Sequence, residues 1–421
     1  MIVETDRVRS ELLDNVLPWW LEHGVDAEHG GVFTCFSNDG HLLSSEKYTW
    51  SQGRWAWLCA RLAAAAQNGV ISADPDQWEQ LAIGTARFLQ EHTLLPGPVV
   101  AYRTSAEGEP LASGTEGELA VSVFADLFAA LGLAGAARVP NATADESSRW
   151  LETSHALLAH AKDRIRSRTA PSEPYPVRRG FTDAAGFMLL LNVAAELHRT
   201  SGSAESAETA GWALGRLLGS EDDGGMWRSD SWWEYRPDDD GDRDTLLARH
   251  RTPGHLLEMT WMVLDAAEAV PALRPRVPSW LPDLAVRALE LGWDKEFGGI
   301  FRYVDAGGGR PKGREFGDDR YETLVTRTWD TKLWWVHVEA LYAARLLAER
   351  FNRDDLKAWG DRLLDYTLRT FPSPDGGEWI QIRDRRGTPL DEVVALPVKD
   401  PFHIARALLL ITELDSRRNQ P

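Results

Sequence analysis

Apolar residues recur at three- and four-residue spacing along most of the chain, and caps and breakers divide that pattern into about twelve helical segments. These run over approximately 7–23, 51–68, 76–94, 114–137, 146–167, 182–200, 206–219, 254–270, 278–292, 325–351, 355–371 and 399–415. Strand-like pieces are confined to the short stretches between them. Four of these stretches follow one formula, an acid, then glycines, then an aromatic: Asp26 to Phe33, Asp222 to Trp227, Asp294 to Phe301 and Asp375 to Trp379. Paired glycines admit a positive-φ turn, and the aromatic that follows opens a hairpin strand.

Each formula comes after an odd-numbered helix and before an even-numbered one. The third and fifth helices are also followed by long connections, around Pro96-Gly97 and from Pro171 to Gly180. The result is a helical-hairpin repeat with a spacing of roughly 75 residues in the second half of the chain. The even helices are apolar nearly all round, as in Phe187-Met188-Leu189-Leu190-Leu191 and in the run from Ile404 to Ile411, which is the pattern of helices covered on both faces. Six pairs satisfy this in a closed ring, with the even helices inside the odd ones. A chain of 421 residues would by length suggest two domains, but the repeat predicts a single all-α domain over 1–421 with short β-hairpins in its loops. Every inner helix then starts at the same end, where its first turns line a pocket.

An apolar fraction of 43% is ample for such a core, and a net charge of -18 argues against nucleic acid or an anionic membrane surface as partner. The segment from Met1 to Asp6 has no basic stretch leading into an apolar one, and no later run approaches membrane-span length, so a cytoplasmic protein is expected. Cys35 and Cys59 provide neither a disulfide framework nor a metal motif. Gly307 to Gly313 lacks the Gly-Lys-Ser/Thr ending of a phosphate loop, and the acidic run Asp238 to Asp242 reads as a solvated loop. No metal or other cofactor is expected, and the oligomeric state, monomer or homodimer, stays open.

Candidate chemistry gathers at the predicted inner-helix starts. The second helix opens with Trp50, Gln52 and Arg54, and the eighth with Pro253-Gly254-His255-Leu256-Leu257-Glu258. The tenth carries Lys332, Trp334, Trp335, His337 and Glu339, and the twelfth Lys399 and His403. His255 and Glu258 fall on one helix face, the spacing of a base and its orienter, although a surface ion pair has the same spacing. Tryptophan faces beside Arg, Lys, Gln and Glu suit a sugar, whose C–H faces stack on rings while its hydroxyls need hydrogen-bond partners.

Four motifs carry a resemblance: Trp50-x-Gln52-x-Arg54, Pro253-Gly254-His255-x-x-Glu258, Lys332-x-Trp334-Trp335-x-His337-x-Glu339-Ala340 and Lys399-x-x-Phe402-His403-x-x-Arg406. In this order, and nearly end to end, the chain resembles the N-acylglucosamine 2-epimerase superfamily, which includes cellobiose 2-epimerases and mannose-type aldose–ketose isomerases. The resemblance implies an (α/α)6 barrel, with His255 and His403 as the acid/base pair, Glu258 supporting His255 and Arg54 at the reacting end of the sugar. Cellobiose epimerases and mannose-type isomerases commonly carry a third histidine on the sixth helix. Asn192 is the residue read at that place here, which resembles the N-acylglucosamine epimerases.

The implied reaction is proton removal and return at C2 of an open-chain sugar, with interconversion of N-acylglucosamine and N-acylmannosamine leading and mannose–fructose isomerisation as the alternative. Glu234 completes the candidate substrate-binding set of Trp50, Gln52, Asn192, Lys332, Trp334, Trp335 and Lys399. Two rival classes are an inverting glycoside hydrolase using Glu234, Glu258 or Asp330, and a non-catalytic sugar-binding protein.

Overall fold

The computed structural model describes residues 2–114, 116–228, 231–391 and 399–418. Among these, twelve long helices alternate around a ring: α1 (2–24), α2 (Thr49–Gln67), α3 (75–93), α4 (Val123–Ala136), α5 (Ala144–Ser167), α6 (Ala185–Ser201), α7 (Ala204–Leu218), α8 (Pro253–Ala269), α9 (Leu281–Gly292), α10 (Trp334–Phe351), α11 (Asp354–Thr370) and α12 (Pro401–Arg418). The even helices pack side by side in sequence, and α12 returns to α2, so the inner ring is closed. The architecture is an all-α (α/α)6 barrel.

Burial follows this geometry. All of α4 is buried, whereas the outer α9 buries Leu281, Leu284, Ala285, Ala288 and Leu289, a single stripe at helical spacing. Three of the outer helices begin with side-chain caps: Asp74 on α3, Ser203 on α7 and a Thr143–Glu146 capping box on α5. Inner helices α2, α4, α6, α8 and α10 have no side-chain cap. Four of them instead grow out of short antiparallel strand pairs: Lys47–Tyr48 with Arg103–Thr104, Phe181–Asp183 with Tyr235–Pro237, His250–Arg251 with Val304–Asp305, and Lys332–Leu333 with Ile382–Arg383. These pairs fix where each inner helix begins.

The Gly-Gly turns take the expected form. Gly30 and Gly31 sit at φ +79° and +81°, Gly298 and Gly299 at +77° and +74°, and Val25 and Trp293 bridge back to Val32 and Ile300. A lysine beneath each of these two turns holds the acid that starts it, Lys47 Nζ at 2.6 Å from Asp26 and Lys332 Nζ at 3.3 Å from Asp294. The hairpin backbone is met by a helix side chain at the same relative position: Gln52 Oε1 accepts the Val32 N–H at 2.8 Å, and His337 Nε2 accepts the Ile300 N–H at 2.8 Å. Gln52 and His337 are thus structural equivalents in two copies of the repeat.

The two largest departures from the helix limits read in the sequence lie at α4 and α10. Residues 116–122 precede α4 rather than opening it, because Ser122 bridges to Ser172 in an extended conformation. The segment expected as one helix over 325–351 is a short helix Arg320–Thr328 and then α10, separated where Lys332 and Leu333 enter their strand pair. Among the described residues, no helix is long and apolar enough to cross a membrane.

Candidate active site

The first turns of all six inner helices open on one cavity of about 390 Å³. Trp50 and Arg54 come from α2, Phe128 from α4, Met188 from α6, His255 and Glu258 from α8, Trp334 and Trp335 from α10, and His403 and Arg406 from α12. Six helix amino termini converging on one space create a positive potential. Buried carboxylates offset it.

Glu234 Oε1 lies 2.7 Å from Nδ1 of His255. Burial pulls the His255 imidazole down, but Glu234, with help from Glu258 and Asp183, outweighs it and holds the ring above its ordinary value. The same pairing holds Glu234 below the usual carboxylate range despite its burial. With Nδ1 directed at the carboxylate, Nε2 is the free ring atom, and the side chain keeps 29% of its surface open to the cavity.

His403 repeats the arrangement. Glu339 Oε1 lies 2.8 Å from its Nδ1, and Arg406 Nη2 donates to Glu339 at 2.5 Å and to Glu258 at 2.8 Å. Trp261 donates its indole N–H to the other Glu339 oxygen at 2.8 Å. Burial opposes ionisation of Glu339, but Arg406 and His403 prevail and hold it as a carboxylate. Glu258, Glu339 and His403 bring ligand-type atoms within 4.8 Å of one another, yet the Arg406 guanidinium already supplies the cation between the two carboxylates.

The two imidazoles meet at Trp335. Its ring centroid is 5.2 Å from that of His255 and 5.8 Å from that of His403. Gly254 makes this approach possible, since a Cβ there would come within 2.6 Å of the indole. Arg54 lies over the rings of Trp50 at 4.5 Å, Phe128 at 4.2 Å and Phe402 at 5.1 Å, with Asp400 3.6 Å from its Nη1. Burial pushes the Arg54 guanidinium down to about 10, which leaves it cationic at neutral pH, and among the described residues its Nε has no partner. Lys399 also lines the cavity, with Nζ donating to the Trp379 carbonyl at 2.8 Å.

Four expectations are corrected. Glu258 is not the residue on His255: its carboxylate is turned to Arg406 and lies 3.9 Å from His403 Nδ1. Gln52 and Lys332 do not reach the cavity, because one spends its amide on both backbone groups of Val32 and the other its ammonium on Asp294. Asn192 lies two turns into α6, below the lining residues Met188 and Leu189. Glu234, expected at the substrate, does line the cavity, and it also holds Nδ1 of His255.

Sequence reasoning missed Glu339 as the partner of His403, although its i+4 spacing from Trp335 puts both on one helix face. It also missed Asp183, whose carboxyl is pushed up to about 6 by burial, and a wall of Tyr175, Arg302, Tyr303 and Tyr321. Nothing in the spacing of those residues connects them before the chain folds.

Residues 31–407 match the family described as N-acylglucosamine 2-epimerase (GlcNAc 2-epimerase). The Bos taurus N-acylglucosamine 2-epimerase is 27% identical over 97% of this chain and 90% of its own length. Among solved structures, the cellobiose 2-epimerase of Bacillus thermoamylovorans superposes with a TM-score of 0.76 at 17% identity, covering 98% of this chain and 100% of that one. A D-mannose isomerase gives 0.72 at 14% identity, covering 97% of each chain. Matched along nearly its whole length, and folded into the same barrel as these sugar-converting enzymes, the chain belongs to the N-acylglucosamine 2-epimerase family.

Proposed function

We propose that the protein is a sugar 2-epimerase that moves a proton at C2 of an open-chain aldose, with N-acylglucosamine and N-acylmannosamine as the interconverted pair. The observation that carries this reading is a pair of imidazoles on one indole, each held at Nδ1 by a buried carboxylate. One histidine removes the C2 proton, and the C–H electrons move into a C1–C2 double bond as the carbonyl oxygen becomes an enediolate oxygen. Arg54, a cation lining the cavity, stabilises that charge. The other histidine, protonated at the outset, gives its proton to the opposite face of C2, and exchange of one proton with solvent at each imidazole restores the starting state. The curated relatives named for N-acylglucosamine support the choice of substrate.

The alternative, aldose–ketose isomerisation, would use the same groups but deliver the proton to C1. An N-acyl group at C2 blocks that outcome. Hydrolysis by two rim carboxylates is disfavoured because Glu234 and Glu258 are committed to His255 and Arg406, and Asp330 does not line the cavity. The test is a panel of N-acetylmannosamine, N-acetylglucosamine, mannose, glucose and cellobiose in deuterated water, followed by NMR. Deuterium at C2 of an inverted N-acetyl sugar is the expected result. A ketose formed from mannose, with both N-acetyl sugars untouched, would reject it in favour of the isomerase.

A further inference from the structure

Most of the cationic groups around the cavity have a carboxylate beside them. Arg406 has Glu258 and Glu339, Arg54 has Asp400, and His255 has Glu234. Lys399 is turned onto the Trp379 carbonyl and feels the charge of Glu378. Arg302 also lines the cavity and is 3% exposed, yet among the described residues no carboxylate pairs with it. Its Nη1 donates to Thr328 Oγ1 at 3.0 Å and its Nη2 to the Tyr175 hydroxyl at 3.3 Å. Both acceptors are neutral. A guanidinium has five N–H donors in a rigid fork, and a buried one without a counter-charge is costly unless an anion arrives.

The surroundings suit an arriving oxyanion. Tyr321 stacks on Tyr235 at 5.0 Å and meets Tyr175 at 5.6 Å and Tyr303 at 6.0 Å, while the Arg302 guanidinium lies 4.9 Å from the Tyr303 ring. Burial raises the Tyr175 and Tyr321 phenols above their ordinary values, so both remain protonated and can donate. Tyr235 follows Glu234, the residue on His255, so this wall and the histidines face one chamber. A cavity of about 390 Å³ has room for a sugar bearing a further substituent.

We propose that Arg302, with the hydroxyls of Tyr175, Tyr303 and Tyr321, forms an oxyanion subsite, and that the sugar taken by this chain carries a phosphate or a carboxylate at the end remote from C2. The assignment of C2 rests on the epimerase reading above; the anion subsite rests on Arg302. Arginine is matched to either group because its paired N–H donors meet two oxygens at once.

The experiment sets each charged sugar against its neutral parent: N-acetylmannosamine 6-phosphate against N-acetylmannosamine, and mannuronate against mannose. Calorimetry gives Kd, and NMR in deuterated water follows C2 exchange. The expected result is that a charged sugar binds roughly tenfold or more tightly than its parent, as charge-assisted hydrogen bonds give. The phosphate and carboxylate arms tell which group the subsite takes. Arg302→Met should bring the charged sugar to the affinity of its parent, a ratio that a merely structural role for Arg302 would not move. Equal affinity for charged and neutral sugars in the parent protein, or a preference that survives Arg302→Met, would overturn the subsite. Arg302→Gln is the second variant, and the parent protein's own panel decides if neither variant folds. Arg302-dependent binding without C2 exchange would remove the epimerase reading and leave the subsite standing. C2 exchange without charge preference would do the reverse.

Discussion

Glu234 Oε1 stands 2.7 Å from Nδ1 of His255, joining the residue before the strand Tyr235–Pro237 to the first turn of α8. Contacts of this kind determine which atom of the imidazole faces the sugar, and the carboxylate sets how readily that atom takes a proton.

Replacing Glu234 with Gln removes the charge that raises His255. A base with a raised pKa loses its free form while the pH is still comparatively high, so the acid limb of kcat/KM in the parent lies above the ordinary imidazole value. In Glu234→Gln that limb should move to lower pH. The plateau should fall by less than the roughly 10²–10⁴-fold of a lost acid/base group. A pH profile of both proteins checks this, and an unmoved limb would detach His255 from the acid limb.

His255→Asn and His403→Asn should each lower turnover by about 10²–10⁴-fold with the barrel intact. Circular dichroism and single-turnover C2 exchange test the two halves of that statement. Near-parent exchange in both variants would end the proposed proton chemistry.

The carboxylates Glu258 and Glu339 meet Arg406, so a divalent ion has no vacancy to fill between them. Turnover is expected to persist in full after exhaustive chelation. Activity that disappears and returns only with one particular metal would contradict the reading of Arg406 as the resident cation.

His337 is buried and neutral, since its Nε2 must accept the Ile300 N–H while its Nδ1 donates to the Leu333 carbonyl at 2.7 Å. Burial pushes its pKa down to about 3 from an ordinary 6.5. A histidine depressed on folding contributes stability that is present above the unfolded value and lost as pH falls through it toward the folded value. The loss from this group amounts to about 2 kcal/mol between pH 6.5 and 5. His337→Gln, copying Gln52 in the equivalent hairpin, keeps the acceptor and should reduce that acid loss. His337→Ala strands the amide and opens a void, and should cost about 2–4 kcal/mol at pH 7.5. Urea melts of the three proteins at pH 7.5 and pH 5 provide the comparison.

The alternation of helices, the turn formula and the convergence of His255, His403, Arg54 and Trp335 were legible because each follows from periodicity and from where an inner helix starts. The partners of the polar groups were not. Gln52 and Arg54 are two residues apart on α2, and one binds a hairpin backbone while the other faces the cavity. Periodicity assigns a face to a helix, but a polar side chain aimed at a buried amide and one aimed at a ligand leave the same trace. Glu258 looked like the orienter of His255 because it is near in sequence, whereas the folded chain brings Glu234 across from the loop ahead of a separate strand, Tyr235–Pro237.

Closure of the inner ring also has a consequence for how the protein is made. The last helix completes the wall beside the second one: Arg61 on α2 holds Glu413 on α12 through two contacts of 2.8 Å, and the Lys399 N–H donates to the Thr34 carbonyl at 2.7 Å. These partners are separated by most of the polypeptide. A nascent chain emerging from the ribosome must therefore carry α2 with one apolar flank uncovered until α12 has been synthesised, and the cavity that holds His403 cannot exist before then.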